Sequence, residues 1–255
     1  MNITLIRNAT LWLEYGGLTW LVDPALSAQG INPPISNSPN PQPNPLVPLP
    51  LPSEHWSSPD AVLVTHLHLD HWDPAGQQTL RSGRLGGHVP LFCQPGDEEK
   101  IDQSGFSNLT AIDAPVIHEG VTIIRTSGRH GTGKIGQAMG QVSGFVLKAD
   151  GEPTLYIAGD TIWCDDVIQV LDKEHPDITV VNAGGARFNE GDPIIMTPSD
   201  VVNVCRYAPN TQVIAVHMEA INHCLTRRVD LAEALNKENL SAQVHIPADG
   251  ETLSF

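Results

Sequence analysis

Basic residues are scarce in this 255-residue chain. Fourteen Lys and Arg stand against 29 Asp and Glu, a formal charge of −15. Such a surface repels nucleic-acid phosphates and anionic membranes over long range, so neither is an expected partner, though one local basic patch remains compatible with it. Cysteine is scarce too. Cys93, Cys164, Cys205 and Cys224 are scattered with no CxxC pair, which reads as reduced thiols and not as a disulfide framework. No apolar run reaches the roughly 18 residues of a membrane span. The stretch MNITLIRNATLWLEY has no basic region ahead of an apolar signal core, so the expected location is the cytoplasm. No GxSxG elbow occurs, which leaves Ser/His/Asp nucleophilic catalysis without support.

Proline, by contrast, is abundant, with nine between positions 33 and 52. That segment can form neither helix nor central strand. Leu46, Val47, Leu49 and Leu51 are interspersed in it and could pin it to the body. It is expected to be an ordered loop insertion, at about 30–56, lying over a site. The length suits one domain spanning 1–255. Alternating apolar residues predict three strands within the first 23 residues, with a hairpin turn at Gly16-Gly17. Further short strands are expected at 60–65, 121–124, 144–147, 154–158, 178–181 and 213–216. Helices are expected near 74–82, where Asp73-Pro74 supplies the cap and first position, and near 97–103, 164–173, 198–207 and 227–239. Sheets covered by helices follow as the α+β arrangement.

The strand ending at Thr65 runs into THLHLDHW. In extended chain, positions i and i+2 point the same way, so His66 and His68 can converge on one cation. Asp70 and His71 follow where the chain turns and can reach a second. Imidazole and carboxylate suit zinc, manganese and iron alike. Metal ions would offset the burial of these polar groups beyond the strand's carboxyl end.

The motif resembles that of the metallo-β-lactamase superfamily. SGRHGTG, YIAGDTIW and VIAVHMEA offer His130, Asp160 and His217 in the family's order, the last two at strand ends. The resemblance implies a four-layer αββα sandwich with the site at its edge, between the two sheets. It also implies that His66, His68 and His130 hold one ion, that Asp70, His71 and His217 hold another, and that Asp160 bridges them. NPLVPLP, the GRHGTG loop and HMEAINHC suggest a bacterial branch similar to ascorbate-6-phosphate lactonases. His223 competes with His217 as the last ligand, or else faces the substrate. Asp23, in LVDP, is either a partner for a ligand histidine or a plain turn residue.

Arg125, Arg129 and Lys134 surround His130 and could orient an anionic substrate; the alternative is a Gly loop with solvated cations. The same stretch nearly spells GxxxxGK, but Ile135 replaces the required Ser or Thr and Gly136 opens a helix poorly. Gly184-Gly185 either bring backbone N–H groups to a ligand or make a tight turn. The expected activity is that of a hydrolase using a hydroxide held by two divalent ions, zinc foremost, with manganese or iron as alternatives. It would attack an ester, lactone or phosphoester of a small anionic metabolite, with Asp70 and Asp160 catalytic and Arg129, Lys134 and His223 on the substrate. The rival readings are a nucleic-acid phosphodiesterase and a mononuclear iron oxygenase. Assembly into a homo-oligomer is left open.

Overall fold

The chain's first strand, β1 (Asn2–Arg7), pairs antiparallel with β2 (Thr10–Tyr15). Gly16 and Gly17, with φ of 62° and 77°, make the left-handed turn into β3 (Leu18–Val22). β4 (Ala61–Leu63), β5 (Leu91–Cys93) and β6 (Leu109–Ala111) extend this sheet in parallel. A second sheet begins with β7 (Val116–His118), β8 (Val121–Ser127) and β9 (Ser143–Lys148), each antiparallel to the next. It continues through β10 (Leu155–Ile157), antiparallel to β9, and then β11 (Ile178–Asn182), β12 (Gln212–Val216) and β13 (Val244–His245) in parallel. β14 (Thr252–Ser254) returns to pair with β1, so each sheet has seven strands. This computed structural model describes residues 1–255.

Six helices accompany the strands: α1 (Pro74–Ser82), α2 (Glu98–Gln103), α3 (Gly133–Met139), α4 (Asp165–Glu174), α5 (Pro198–Tyr207) and α6 (Arg228–Lys237). Strand alternation sorts the side chains into layers. Leu11, Leu13, Trp20 and Leu63 of the first sheet meet Ile123, Phe145, Val180 and Ile214 of the second in a central core. The outer face of the first sheet packs Leu21, Val62 and Leu91 on Leu80 of α1 and Ile101 of α2. The outer face of the second packs Val146, Val181 and Val213 on Val167, Val201 and Leu231 of α4, α5 and α6. The result is the expected αββα sandwich. No helix is long and apolar enough to cross a membrane.

The capping signals work as the chain spells them. The Asp73 carboxylate accepts from Gly76 N at 2.6 Å with Pro74 in the first helical position. Thr197 and Asp200 form a reciprocal capping box on α5. Thr197→Ala should therefore cost about 1 kcal/mol of stability, read from the midpoint of urea unfolding. One expectation needs correction. The stretch after His130 is not a plain Gly loop, because α3 forms there despite Gly136, starting from Thr132.

Candidate metal centre

Strand direction explains why distant residues meet. β1 is antiparallel to β2, which is antiparallel to β3, so β1, β3 and the parallel β4 all run one way. In the second sheet β8, β10, β11 and β12 likewise share a direction. Their carboxyl ends deliver Asn8, Asp23, the His66–His71 loop, His130, Asp160, Asn182 and His217 to one edge. Here the sheets touch: His217 N donates to Asn8 O at 2.9 Å.

All seven side chains expected as metal ligands come together. His66, His68 and His130 form one triad of mutually close donor atoms, and Asp70, His71 and His217 another. Asp160 lies between them. Its Oδ2 is 3.4 Å from His130 Nε2, 3.3 Å from His71 Nε2 and 3.9 Å from His66 Nε2. Its Oδ1 is 3.6 Å from His217 Nε2. On the second side, Asp70 Oδ2 is 3.3 Å from His217 Nε2. His217 itself sits at φ 63°, a left-handed conformation that a histidine adopts only when its surroundings hold it there.

Outer contacts settle which ring nitrogens face inward. His130 Nδ1 donates to the Ile194 carbonyl at 2.8 Å. His71 Nδ1 donates to the Asp23 carboxylate at 2.8 Å. Thr65 Oγ1 donates to Asp23 Oδ2 at 2.7 Å and so accepts from His66 Nδ1 at 3.1 Å. Each ring, when neutral, is left with a bare Nε2 pointing at the cluster. Asp23 thus orients one histidine directly and a second through Thr65, which decides between the two roles the sequence left open for it. His217 Nδ1 lies 3.3 Å from Cys224 Sγ. Removing the Asp23 carboxylate with Asp23→Ala should weaken metal binding by about 10–100-fold, measurable by competition with a chromogenic chelator. Unchanged affinity would leave Asp23 a turn residue only.

The donor set fits divalent cations on electrostatic grounds. His66 Nε2 lies 3.0 Å from His68 Nδ1, and His71 Nε2 lies 3.2 Å from His217 Nε2. In the second pair the other nitrogens are occupied by Asp23 and Cys224, and with both Nδ1 atoms protonated the two neutral rings would aim lone pairs at each other unless a cation or a proton stands between. Burial alone would raise the Asp160 carboxyl, yet His71 and His217 hold it well below the usual range. Burial likewise opposes charge on His71, but Asp160 and Asp23 outweigh it and push the imidazole up to about 10. His217 is raised for the same reason by Asp160 and Cys224, while burial lowers His66. The cluster demands positive charge, which bound protons supply when metal does not.

The expected substrate cations fare differently. The Arg129 side chain, 54% exposed, pairs with Asp166 at 3.0 Å and Asp165 at 3.8 Å. Lys134 is exposed on α3, and neither residue lines the cavity beside the cluster. Arg125 is spent on the Ile112 carbonyl at 2.7 Å. The structure turns Arg129 and Lys134 away from this cavity: Arg129 pairs with carboxylates of α4, which lie outside any local sequence window, and Lys134 is exposed on α3. His223 does line the cavity, together with His68, Asp70, His130 and Asp160. It is buried, and its Nδ1 has no partner. Gly184 serves neither a ligand nor a turn alone. A Cβ there would lie 2.1 Å from His217 O, so glycine permits β11's exit to pack on the ligand's own backbone.

Sequence reasoning missed Asn182 and Asn8. Asn182 Nδ2 donates to Asp160 Oδ1 at 2.6 Å, and Asn8 Nδ2 donates to Asp70 O at 3.1 Å. Their one signal is a polar side chain at the exit of an apolar strand, the same signal that marks Asp160.

A model described as the beta-lactamase superfamily domain matches residues 20–218. The UPF0173 protein YddR of Bacillus subtilis (strain 168) is 35% identical over 259 residues, spanning 100% of both chains. A UPF0173 metal-dependent hydrolase of Methanospirillum hungatei is 25% identical, over 71% of this chain and 77% of its own. Among solved structures, the isothiocyanate hydrolase from Delia radicum gut bacteria aligns with a TM-score of 0.94 at 36% identity, covering 100% of this chain and 99% of that one.

Proposed function

Because this chain belongs to the beta-lactamase superfamily, we propose that it is a metal-dependent hydrolase working with two divalent ions. His66, His68 and His130 hold one, Asp70, His71 and His217 the other, and Asp160 both. Zinc is the proposed metal, with manganese and iron served by the same donors. The observation that carries this reading is Asp160, whose carboxylate lies within 4 Å of histidines of both donor triads, His66 and His130 of one and His71 and His217 of the other.

Divalent ions held by these residues would supply Lewis acidity and would lower the pKa of a bound water toward about 7. The protein's own groups do the rest. Asp23 and the Ile194 carbonyl fix the rings of His71 and His130 before substrate arrives, so little reorganisation is needed during reaction. Asp70 lines the cavity and is held ionised by its contact with His217. As an ionised carboxylate it can accept a hydrogen bond from the attacking water and orient it. His223, in the same wall, can contact the substrate through its ring. Enclosure of the cavity by the Pro-rich segment limits bulk water.

The reacting centre is an electrophilic carbon, that of an ester or lactone, or the central carbon of an isothiocyanate. The last follows from the activity named for the structurally similar enzyme. A phosphoester belongs in the same panel. The test is elemental analysis of protein purified without added metal, followed by an activity panel on that sample. Two equivalents of metal and turnover lost on chelation are expected. Turnover by metal-free protein, or oxygen consumption in place of hydrolysis, would overturn the reading.

A further inference from the structure

The cavity holds about 250 Å³, and its chemistry changes from one wall to the other. Ligand side chains and His223 occupy one end. Elsewhere Ile35 and Pro45 of the Pro-rich segment and Met139, Phe188 and Ile221 line it. Ile35, Met139 and Phe188 pack with Ile194 and Ile221 in a hydrophobic cluster separate from the three cores of the sandwich. The guanidinium in the lining, Arg7, is fully buried. It spends Nη1 on Val47 O at 3.1 Å and Nη2 on Ala25 O at 3.0 Å and Ser27 O at 2.9 Å. Asp73 is spent on Ser27 N at 2.7 Å and Gly76 N at 2.6 Å. Beyond the donor cluster and His223, the charged side chains in the lining, Arg7 and Asp73, already hold backbone partners within the protein.

We propose that this wall is a subsite for an uncharged, apolar substrate tail, and that Asn222 fixes its shape by clamping the Pro-rich segment. The inference rests on the hydrolase reading for the reacting group but not for the tail. The clamp is local and dense. Asn222 Oδ1 accepts from Ile35 N at 3.0 Å and Asn44 Nδ2 at 2.8 Å. Its Nδ2 donates to Ile35 O at 3.1 Å, Ser38 Oγ at 2.6 Å and Asn40 O at 2.6 Å. Its backbone N donates to Asn44 Oδ1 at 2.8 Å, and Leu46 N to Ala220 O at 2.7 Å. Asn32 and Asn44 exchange both backbone bonds at 2.8 Å. The prolines have a physical role here. Irregular backbone against an apolar cavity would strand N–H donors, and proline has none. The clamp lies five residues beyond His217, so one loop ties the tail subsite to the proposed second metal position.

The test is a series of alkyl isothiocyanates with the metal-loaded protein. From methyl to butyl, kcat/KM should rise about four-fold per methylene, the increment for burying each in an apolar wall. A 3-carboxypropyl tail should fall at least about ten-fold below butyl, because its charge finds no partner. Phe188→Ala, at a half-buried position, and Asn222→Ala should each cut the butyl-to-methyl ratio at least about five-fold. Phe188→Ala keeps the test decisive should Asn222→Ala fail to fold. Calorimetry of pentanamide against 4-carboxybutanamide reads the subsite without turnover. If neither isothiocyanates, esters nor lactones turn over but pentanamide binds preferentially, the hydrolase reading fails and the subsite stands. A flat alkyl series, or equal binding of the two amides, overturns the subsite.

Discussion

With two ions held as proposed, Asp160→Ala should release metal from both positions and lower turnover at least about 10³-fold, beyond the 10–100-fold typical of losing an outer partner. The reason is geometric. Asp160 sits within 4 Å of His66, His71, His130 and His217. No other carboxylate lies within 4 Å of histidines from both triads, and this one neutralises charge at each. Its removal would leave imidazoles from two sheets facing one another around a gap. Asp160→Asn would keep the shape but lose the charge, so it should recover fold without recovering the second ion. Metal content by emission spectroscopy, alongside kcat/KM, measures both effects. A variant that kept two equivalents of metal and near-native turnover would refute the bridging role.

Metal removal should produce the second large effect, on stability. A ligand at about 1,000 times its dissociation constant stabilises the folded state by about 4 kcal/mol. For a chain of this size that corresponds to a fall in Tm of about 8–16 °C on chelation. The effect should depend on pH in a defined direction. In metal-free protein the folded-state pKa of His71 is raised to about 10. Its protonation therefore stabilises the metal-free fold fully below the unfolded value of about 6.5, and that contribution fades as pH rises toward 10. Metal must displace this proton, so the metal-dependent shift in Tm should grow from pH 6 to pH 8. Scanning calorimetry with and without chelator at both pH values decides it. A shift that shrinks with rising pH would contradict the assigned charge state.

Local features were legible wherever a short window carries the physics. The Gly16-Gly17 turn, the Asp73 and Thr197 caps, and helices α1 and α5 all lie within a residue or so of expectation. THLHLDHW identified its own chemistry, because donor spacing in an extended segment is a local property. Arg129 shows the opposite case. Its cationic neighbourhood suggested an anion site, yet its charge is cancelled by Asp165 and Asp166, more than thirty residues on. Asp23 stayed ambiguous in sequence because its partners, Thr65 and His71, lie more than forty residues away. Asn222 gave no signal at all, since the worth of an amide depends on what packs over it.

The sequence by itself determined the donor types, the caps of α1 and α5, most of the strands that carry the donors, and a strongly acidic net charge. Those follow from periodicity, capping and charge, which act over a few residues. Only the tertiary structure decided that seven donors meet, which nitrogens the outer contacts leave facing them, and that the adjoining cavity has an apolar wall to which the Pro-rich segment contributes. Those outcomes depend on shared strand direction in two sheets and on long-range hydrogen bonds, which no local window of the chain contains.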